Sequence, residues 1–307
     1  MSTRNRTFVC VAAAAAALTL AACGLGAGGT PANVGLLVTQ GFGAQTMLAA
    51  AKPKVAGADT VMRMLERNAR VATRYGGGFV ERIDGLSGGG ATDWFYYVNG
   101  VQATKGAAAT KLHNGDHVWW DRHDWSATQT VPAIVGSFPE PFVDGLDGKR
   151  LPLRIECTQK ARAPCNTIED IFAGYHLLAA EGCFLCSQYN ESLRVVVGPY
   201  ATLTTDPAAD QLTRGVRTSG VYARFEGGGR RLALLDASGR VVRTAGAGAG
   251  LIAATRYMGQ PPVWYVTGTD AAGVAAAVQA FNAATLDEHF AVAVVADTAI
   301  PLPARSR

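Results

Sequence analysis

Apolar positions change their spacing several times along the chain, and each change predicts an element. Gly35-Leu36-Leu37-Val38-Thr39 and Gln45-Thr46-Met47-Leu48 flank Gly41-Phe42-Gly43, the pattern of an opening hairpin. Helical spacing follows. Asp59-Thr60 caps a short helix with Val61, Met64 and Leu65 on one face and Arg63, Glu66 and Arg67 on the other. Residues 79–83, 93–98 and 117–121 read as strands, separated by Gly-rich, Asn-Gly and Asn-Gly-Asp turns. One helix over a small, mostly antiparallel sheet is the simplest assembly, an α+β unit.

Beyond residue 132 the apolar runs lengthen and lose their alternation. Strands are expected at 133–135, 151–156, 193–197, 221–225, 231–235, 263–267 and 290–295, interleaved with helices at 168–180, 207–213, 248–257 and 272–283. Unbroken runs such as Val195-Val196-Val197 suit strands covered on both faces. An α/β layered unit with some parallel pairing is therefore expected.

Composition supports this picture and adds a destination. Of 307 residues, 49% are hydrophobic and 17% charged, as in a globular chain with sizeable cores. The formal charge of +4 is too mild to favour nucleic acid, and none is expected as a partner. Arg4 and Arg6 precede an alanine-rich apolar run that closes on Leu20-Ala21-Ala22-Cys23-Gly24. Charged start, short apolar stretch and small residues before a cysteine make an export signal, and the run is short for a transmembrane helix. The site resembles the bacterial lipobox, which implies cleavage before Cys23 and its acylation. Residues 1–22 then form the signal, 23–33 a tether, 34–125 a first domain and 133–307 a second. Cys157, Cys165, Cys183 and Cys186 remain in the mature chain, an even set suited to disulfides in an oxidising compartment, with their connectivity open.

Four stretches in the first domain share an order and spacing with a known family. They are Gly57-Ala58-Asp59-Thr60-Val61-Met62-Arg63-Met64-Leu65, Phe79-Val80-Glu81-Arg82-Ile83-Asp84-Gly85, Trp94-Phe95-Tyr96-Tyr97-Val98-Asn99-Gly100 and Leu112-His113-Asn114-Gly115-Asp116. Together they resemble the transcobalamin C-terminal-like domain of bacterial surface proteins. That resemblance implies a β-grasp-like fold, a ligand-facing edge near Asn99-Gly100, and the handling of cobalamin or another corrinoid.

Ligand-contact candidates in this domain are Trp94, Tyr96, Tyr97, Asn99, Trp119, Trp120 and His123. In His117-Val118-Trp119-Trp120-Asp121-Arg122-His123, period-two alternation puts His117, Trp119, Asp121 and His123 on one face. One tryptophan is expected in the core under the helix and the other free to stack on a flat ligand or a partner. His117, Asp121 and His123 carry metal-binding atoms, yet read better as polar residues on an outward face, and no metal is expected. In the second domain, Thr267, Thr269 and Asp270 lie where a buried strand empties into a helix, the place where α/β sheets put ligands. Gly246-Ala247-Gly248-Ala249-Gly250 lacks the full dinucleotide fingerprint. Ser219-Gly220 lacks a nucleophile elbow, and no other grouping makes a catalytic centre.

The sequence thus points to an exported binding lipoprotein on the outer face of the cytoplasmic membrane. It would capture a small molecule, a corrinoid by resemblance, and pass it to an uptake permease. A structural or adhesive envelope module docking protein or glycan through the Trp-rich strand is the alternative, with an extracytoplasmic enzyme third.

Overall fold

The computed structural model describes residues 29–158, 162–184 and 191–305. Cys23 and Cys186 lie outside them. The N-terminal part builds a five-stranded sheet in the order β2-β1-β8-β6-β7, from β1 (Gly35–Gln40), β2 (Gln45–Ala50), β6 (Thr92–Val98), β7 (Val101–Gln102) and β8 (His117–Asp124). β1 and β8 run parallel at its centre, and the other pairs are antiparallel. A smaller sheet of β3 (Val71–Arg74), β4 (Phe79–Ile83) and β5 (Leu86–Ser87) stands beside it.

The single helix of this part, α1 (Val61–Asn68), starts where expected: Thr60 Oγ1 accepts from the Arg63 amide at its N-cap. Its buried face, Val61, Met62, Met64 and Leu65, packs on Leu36, Val38, Trp94, Val118 and Trp120. The predicted α+β unit is present.

The rest of the chain is dominated by a seven-stranded sheet in the order β10-β9-β11-β16-β15-β17-β18. Its strands are β9 (Leu153–Cys157), β10 (Ala179–Cys183), β11 (Leu193–Pro199), β15 (Gly250–Thr255), β16 (Val263–Gly268), β17 (Ala291–Val295) and β18 (Thr298–Leu302). The first four in spatial order are parallel and the last three antiparallel. Helices α2 (Arg162–Gly174) and α5 (Ala271–Ala280) cover one face. The other face meets α3 (Pro207–Arg214) and a three-stranded sheet of β12 (Ala223–Glu226), β13 (Arg231–Leu235) and β14 (Val241–Ala245). Short helices α4 (Val216–Ser219) and α6 (Ala283–Leu286) complete the elements.

Three expectations fail here. Within residues 248–257 the segment Gly250–Thr255 forms strand β15, because all six residues are buried and pair antiparallel with β16, and Gly250–Ile252 pair with β17 on the other side as well. Small residues in a fully covered strand look like an alanine-rich helix, since neither periodicity survives. The helix expected over 168–180 starts earlier and stops at Gly174, and Ala179–Cys183 is a strand parallel to β9. Residues 133–135 make only an isolated bridge, Val101 to Ala133.

The two parts share one core. Leu37, Tyr97 and Trp119 from the five-stranded sheet and Phe42 from its β1–β2 turn join Tyr222, Phe290 and Leu302 in a single apolar cluster, through Ala127, Val131 and Ile134 of the connecting segment. Burying side chains such as Leu37 and Phe290 contributes roughly 1.5–3 kcal/mol each. The central strands β1 and β8 therefore have no free face, while edge strand β2 stays partly exposed. Among the described residues, no helix is long and apolar enough to cross a membrane.

Candidate functional site

Strand β8 alternates as expected, but both of its faces are covered. Trp120 turns toward α1 and stacks on Tyr96, ring centroids 4.8 Å apart. Trp119 turns toward the second part, 5.5 Å from Phe290 and nearly perpendicular to it. Its Nε1 donates to Thr39 Oγ1 at 2.7 Å. Both tryptophans are buried, so neither offers a ring to a ligand in solution. The expected free tryptophan is corrected by the second domain, which covers the face that α1 leaves.

Asp121 and His123 are likewise buried rather than outward. Asp121 accepts from the amides of Phe42 (3.0 Å) and Gly43 (2.9 Å) and from the Thr39 hydroxyl, and its Oδ1 lies 2.8 Å from His123 Nδ1. The His123 ring is sandwiched between Phe42 at 4.5 Å and Phe95 at 4.4 Å. A buried carboxylate met by four partners is satisfied and holds the β1–β2 turn against β8. Trp94 is buried, with Nε1 donating to the Leu86 carbonyl. Tyr96 spends its hydroxyl on the Lys105 carbonyl and on Thr110 Oγ1. Tyr97 is fully enclosed, and burial pushes its phenol well above the ordinary value.

At the β16–α5 turn the candidates are also occupied. Thr267 Oγ1 donates to the Gly198 carbonyl (2.8 Å) and Thr269 Oγ1 to the Gly246 carbonyl (2.9 Å). Asp270 caps α5 through the Gly273 amide and accepts from the Gly248 amide, each at 2.9 Å. The 246–249 segment lies against the start of α5, where a Cβ on Gly273 would meet the Ala249 carbonyl at 2.2 Å. These three residues close a turn, and the glycine run before β15 precedes no helix.

Asn99 has a different position. It forms the expected tight turn with Gly100, φ +51 and +74, and its buried side chain bridges three segments. Nδ2 donates to the Gly145 carbonyl at 2.8 Å and to Asp116 Oδ1 at 3.2 Å, while Oδ1 accepts from the His117 amide at 2.8 Å. Asp116 Oδ2 accepts from the His113 amide at 2.7 Å and lies 3.5 Å from His113 Nδ1. Burial raises the Asp116 carboxyl and lowers the His117 imidazole.

Outside this knot lies a cleft of about 510 Å³, lined by Leu112, His113, Asn114, Asp144, Gly148 and Arg150 among others. Two glycines permit the close approach that forms it. A Cβ on Gly115 would meet the Asp144 carboxylate at 2.1 Å, and one on Gly148 the His113 ring at 2.6 Å. Glu140 stands behind Asp144 and accepts from its amide at 2.9 Å. Burial pushes the Glu140 carboxyl up to about 8, and the negative charges of Asp144 and Asp116 act in the same direction. Arg150 reaches Asp144 at 3.3 Å from an exposed position. The cleft thus offers an imidazole, an amide, a guanidinium and a carboxylate, a donor set for a small polar ligand. Among the described residues, no three His, Cys, Asp or Glu side chains converge as a metal site.

Residues 58–124 match the family model described as Domain of unknown function (DUF4430), a transcobalamin-like domain. No curated protein matches the chain. A crystal structure of a "putative metal binding protein" from Ruminococcus gnavus ATCC 29149 is similar over 30% of this chain and 97% of its own, at 18% identity and a TM-score of 0.26. A likeness of that size says nothing about ligands here.

Two features escaped the sequence reading. The cleft is built from 112–116 and 144–150, distant in sequence, and only His113-Asn114-Gly115-Asp116 stood out, as a turn. Charged positions inside apolar strands were the other missed signal: Glu156 and Arg194 pair bidentately at 2.9 and 2.7 Å, and Arg194 also meets Asp206 at 2.6 Å, all buried. Burial opposes that charge, but the two carboxylates outweigh it and hold Arg194 above its ordinary value. Among the described residues one of the expected disulfides is present, Cys157–Cys165, which ties the end of β9 to the first turn of α2. The backbone of Cys183 lies in register beside Cys157.

Proposed function

We propose that the protein is an extracytoplasmic binding protein, held to the membrane by a lipid on Cys23, that takes a small polar ligand in the cleft beside His113, Asn114, Asp144 and Arg150. The observation that carries this reading is the cleft's position. It lies where the Gly115-Asp116 turn of the β-grasp-like unit meets the 144–150 segment of the second, next to the Asn99 turn that the family resemblance makes ligand-facing.

A corrinoid is the ligand class implied by that resemblance. The enclosed aromatic rings give it no stacking surface, so support for it rests on His113, whose side chain is one-third exposed at the cleft and offers an imidazole to cobalt. Titration of the purified mature chain with aquocobalamin, followed in the visible spectrum and by calorimetry, tests this. Submillimolar binding lost in His113→Ala supports corrinoid capture and hand-over to a permease. If no cobamide binds, the corrinoid version falls, and screening of small polar solutes against Asp144→Asn then tests the cleft itself.

The alternative, a structural envelope module, would have to dock through another surface than the Trp-rich strand, because Trp119 packs against the second part and Trp120 beneath α1. Retention on isolated envelope without any small ligand would support it. No catalytic role is assigned to either part.

A further inference from the structure

The only exposed aromatic side chains among the described residues sit together at one hairpin tip. Tyr75 is 86% exposed and Phe79 38%, their rings edge-to-face at 6.3 Å. They flank the β3–β4 turn Tyr75-Gly76-Gly77-Gly78-Phe79, and Phe79 pairs across the strands with Arg74. The backbone carries Tyr75 at φ +52, followed by Gly76 at +68 and Gly77 at +93. A left-handed tyrosine is strained, and here the conformation projects the ring away from the body. Every other Phe, Tyr and Trp ring among the described residues is at least partly covered, so this pair is an exception in need of a partner.

Charge narrows the choice of partner. Arg63, Arg67, Arg70, Arg74 and Arg82 are all exposed on the hairpin and α1, against Asp59, Glu66, Glu81 and Asp84, with Arg67 paired to Asp59, Arg70 to Asp84 and Arg74 to Glu81. Lys105 adds another exposed cation on the neighbouring loop, whose Gly106 approaches the Gly78 carbonyl. An amphipathic aromatic pair beside Arg74 and near Lys105, in a region where exposed cations outnumber acids, matches the interface of an anionic bilayer, where rings sit at headgroup level and each nearby cation strengthens attachment.

The anchor supplies proximity. Six positions separate Cys23 from Gly29, so a lipid on Cys23 keeps Gly29 within about 20 Å of the membrane. We infer that the Tyr75–Phe79 hairpin tip is a second, peripheral contact with the anionic lipid surface, orienting the tethered body. This inference rests on the lipid-anchor reading for its setting but is testable without the lipid.

The full mature chain, produced without acylation, would be sedimented with vesicles of phosphatidylethanolamine and phosphatidylglycerol, with phosphatidylcholine vesicles and with purified peptidoglycan. Binding to the anionic vesicles only, weakened by salt, is expected. Tyr75→Ser/Phe79→Ser should lower it at least tenfold with unchanged circular dichroism. Lys105→Gln, on the loop beside the tip, should lower it about fivefold, the loss expected for one cation near such a surface. Absence of binding to anionic vesicles, equal binding by the double variant, or binding to peptidoglycan alone would overturn the inference. Lipidation is read separately, by palmitate labelling of the wild type and of Cys23→Ser in a bacterial host. Either result can therefore fail without the other.

Discussion

Asn99 in the β6–β7 turn donates to the carbonyl of Gly145 in the second domain at 2.8 Å, and so ties the turn of one unit to the backbone of the other. The same side chain receives the His117 amide and reaches Asp116. Asn99→Ala removes all three partners, leaves a buried amide and carbonyl unmet, and puts alanine at positive φ. A loss of roughly 2–4 kcal/mol is expected in denaturant melts at pH 7. Asn99→Asp keeps the acceptor but sets a second carboxylate beside Asp116, so its deficit should be larger at pH 8 than at pH 5.

Trp119 tests whether the two units unfold together. Its ring lies against Phe290, and a Cβ on Gly136 would meet it at 2.7 Å, which leaves the site no slack. Trp119→Ala is expected to cost about 3–5 kcal/mol. Because the cavity opens in the shared core, tryptophan fluorescence, which reports mainly the first unit, and far-ultraviolet circular dichroism should shift by the same amount. Separate midpoints would show independent domains.

How much of this was legible in the chain follows from which contacts are local. The α1 cap at Thr60, the Asn99-Gly100 turn and the alternation of β8 depend on neighbours in sequence, and the pattern carries them. What covers the Trp119 face depends on Phe290, more than a hundred residues away, and alternation cannot say whether a polar-looking strand face meets water or a second domain. Asp121 and His123 look like surface residues because they are polar, yet they satisfy one another and the Phe42–Gly43 amides inside. In β15 the failure is different: Leu251-Ile252-Ala253-Ala254 is covered on both faces, so neither the two-residue nor the 3.6-residue period is written in it.

Arg194 is the strongest structural bet in the second domain. Replacing it with methionine keeps much of its volume but leaves Glu156 and Asp206 inside the fold without the cation that each contacts. A buried pair broken from one side typically costs 3–5 kcal/mol, so Arg194→Met should lose about that much at pH 7. Urea melts of variant and wild type at pH 7 decide it, and a loss of under about 1 kcal/mol would mean that packing, and not charge, is what Arg194 supplies.

Glu140 makes the sharpest pH prediction, since its carboxyl is pushed up to about 8 by burial and by the charges of Asp144 and Asp116. In the unfolded chain it titrates near 4.3, so between these values the folded state binds the proton more tightly. Its stabilising contribution is therefore whole below about pH 4.3 and is lost as pH rises through about 8. Glu140→Gln is neutral throughout and lacks that loss. The variant should match the wild type near pH 4.5 and exceed it increasingly toward pH 9, by up to about 4 kcal/mol, with the difference read from urea melts across the range. The amide also cannot carry the negative charge that the wild type acquires above pH 8 behind Asp144. Affinity of the cleft for a cationic ligand should then rise with pH in the wild type and stay flat in the variant, while parallel stability curves would mean that Glu140 is already solvated and charged at neutral pH.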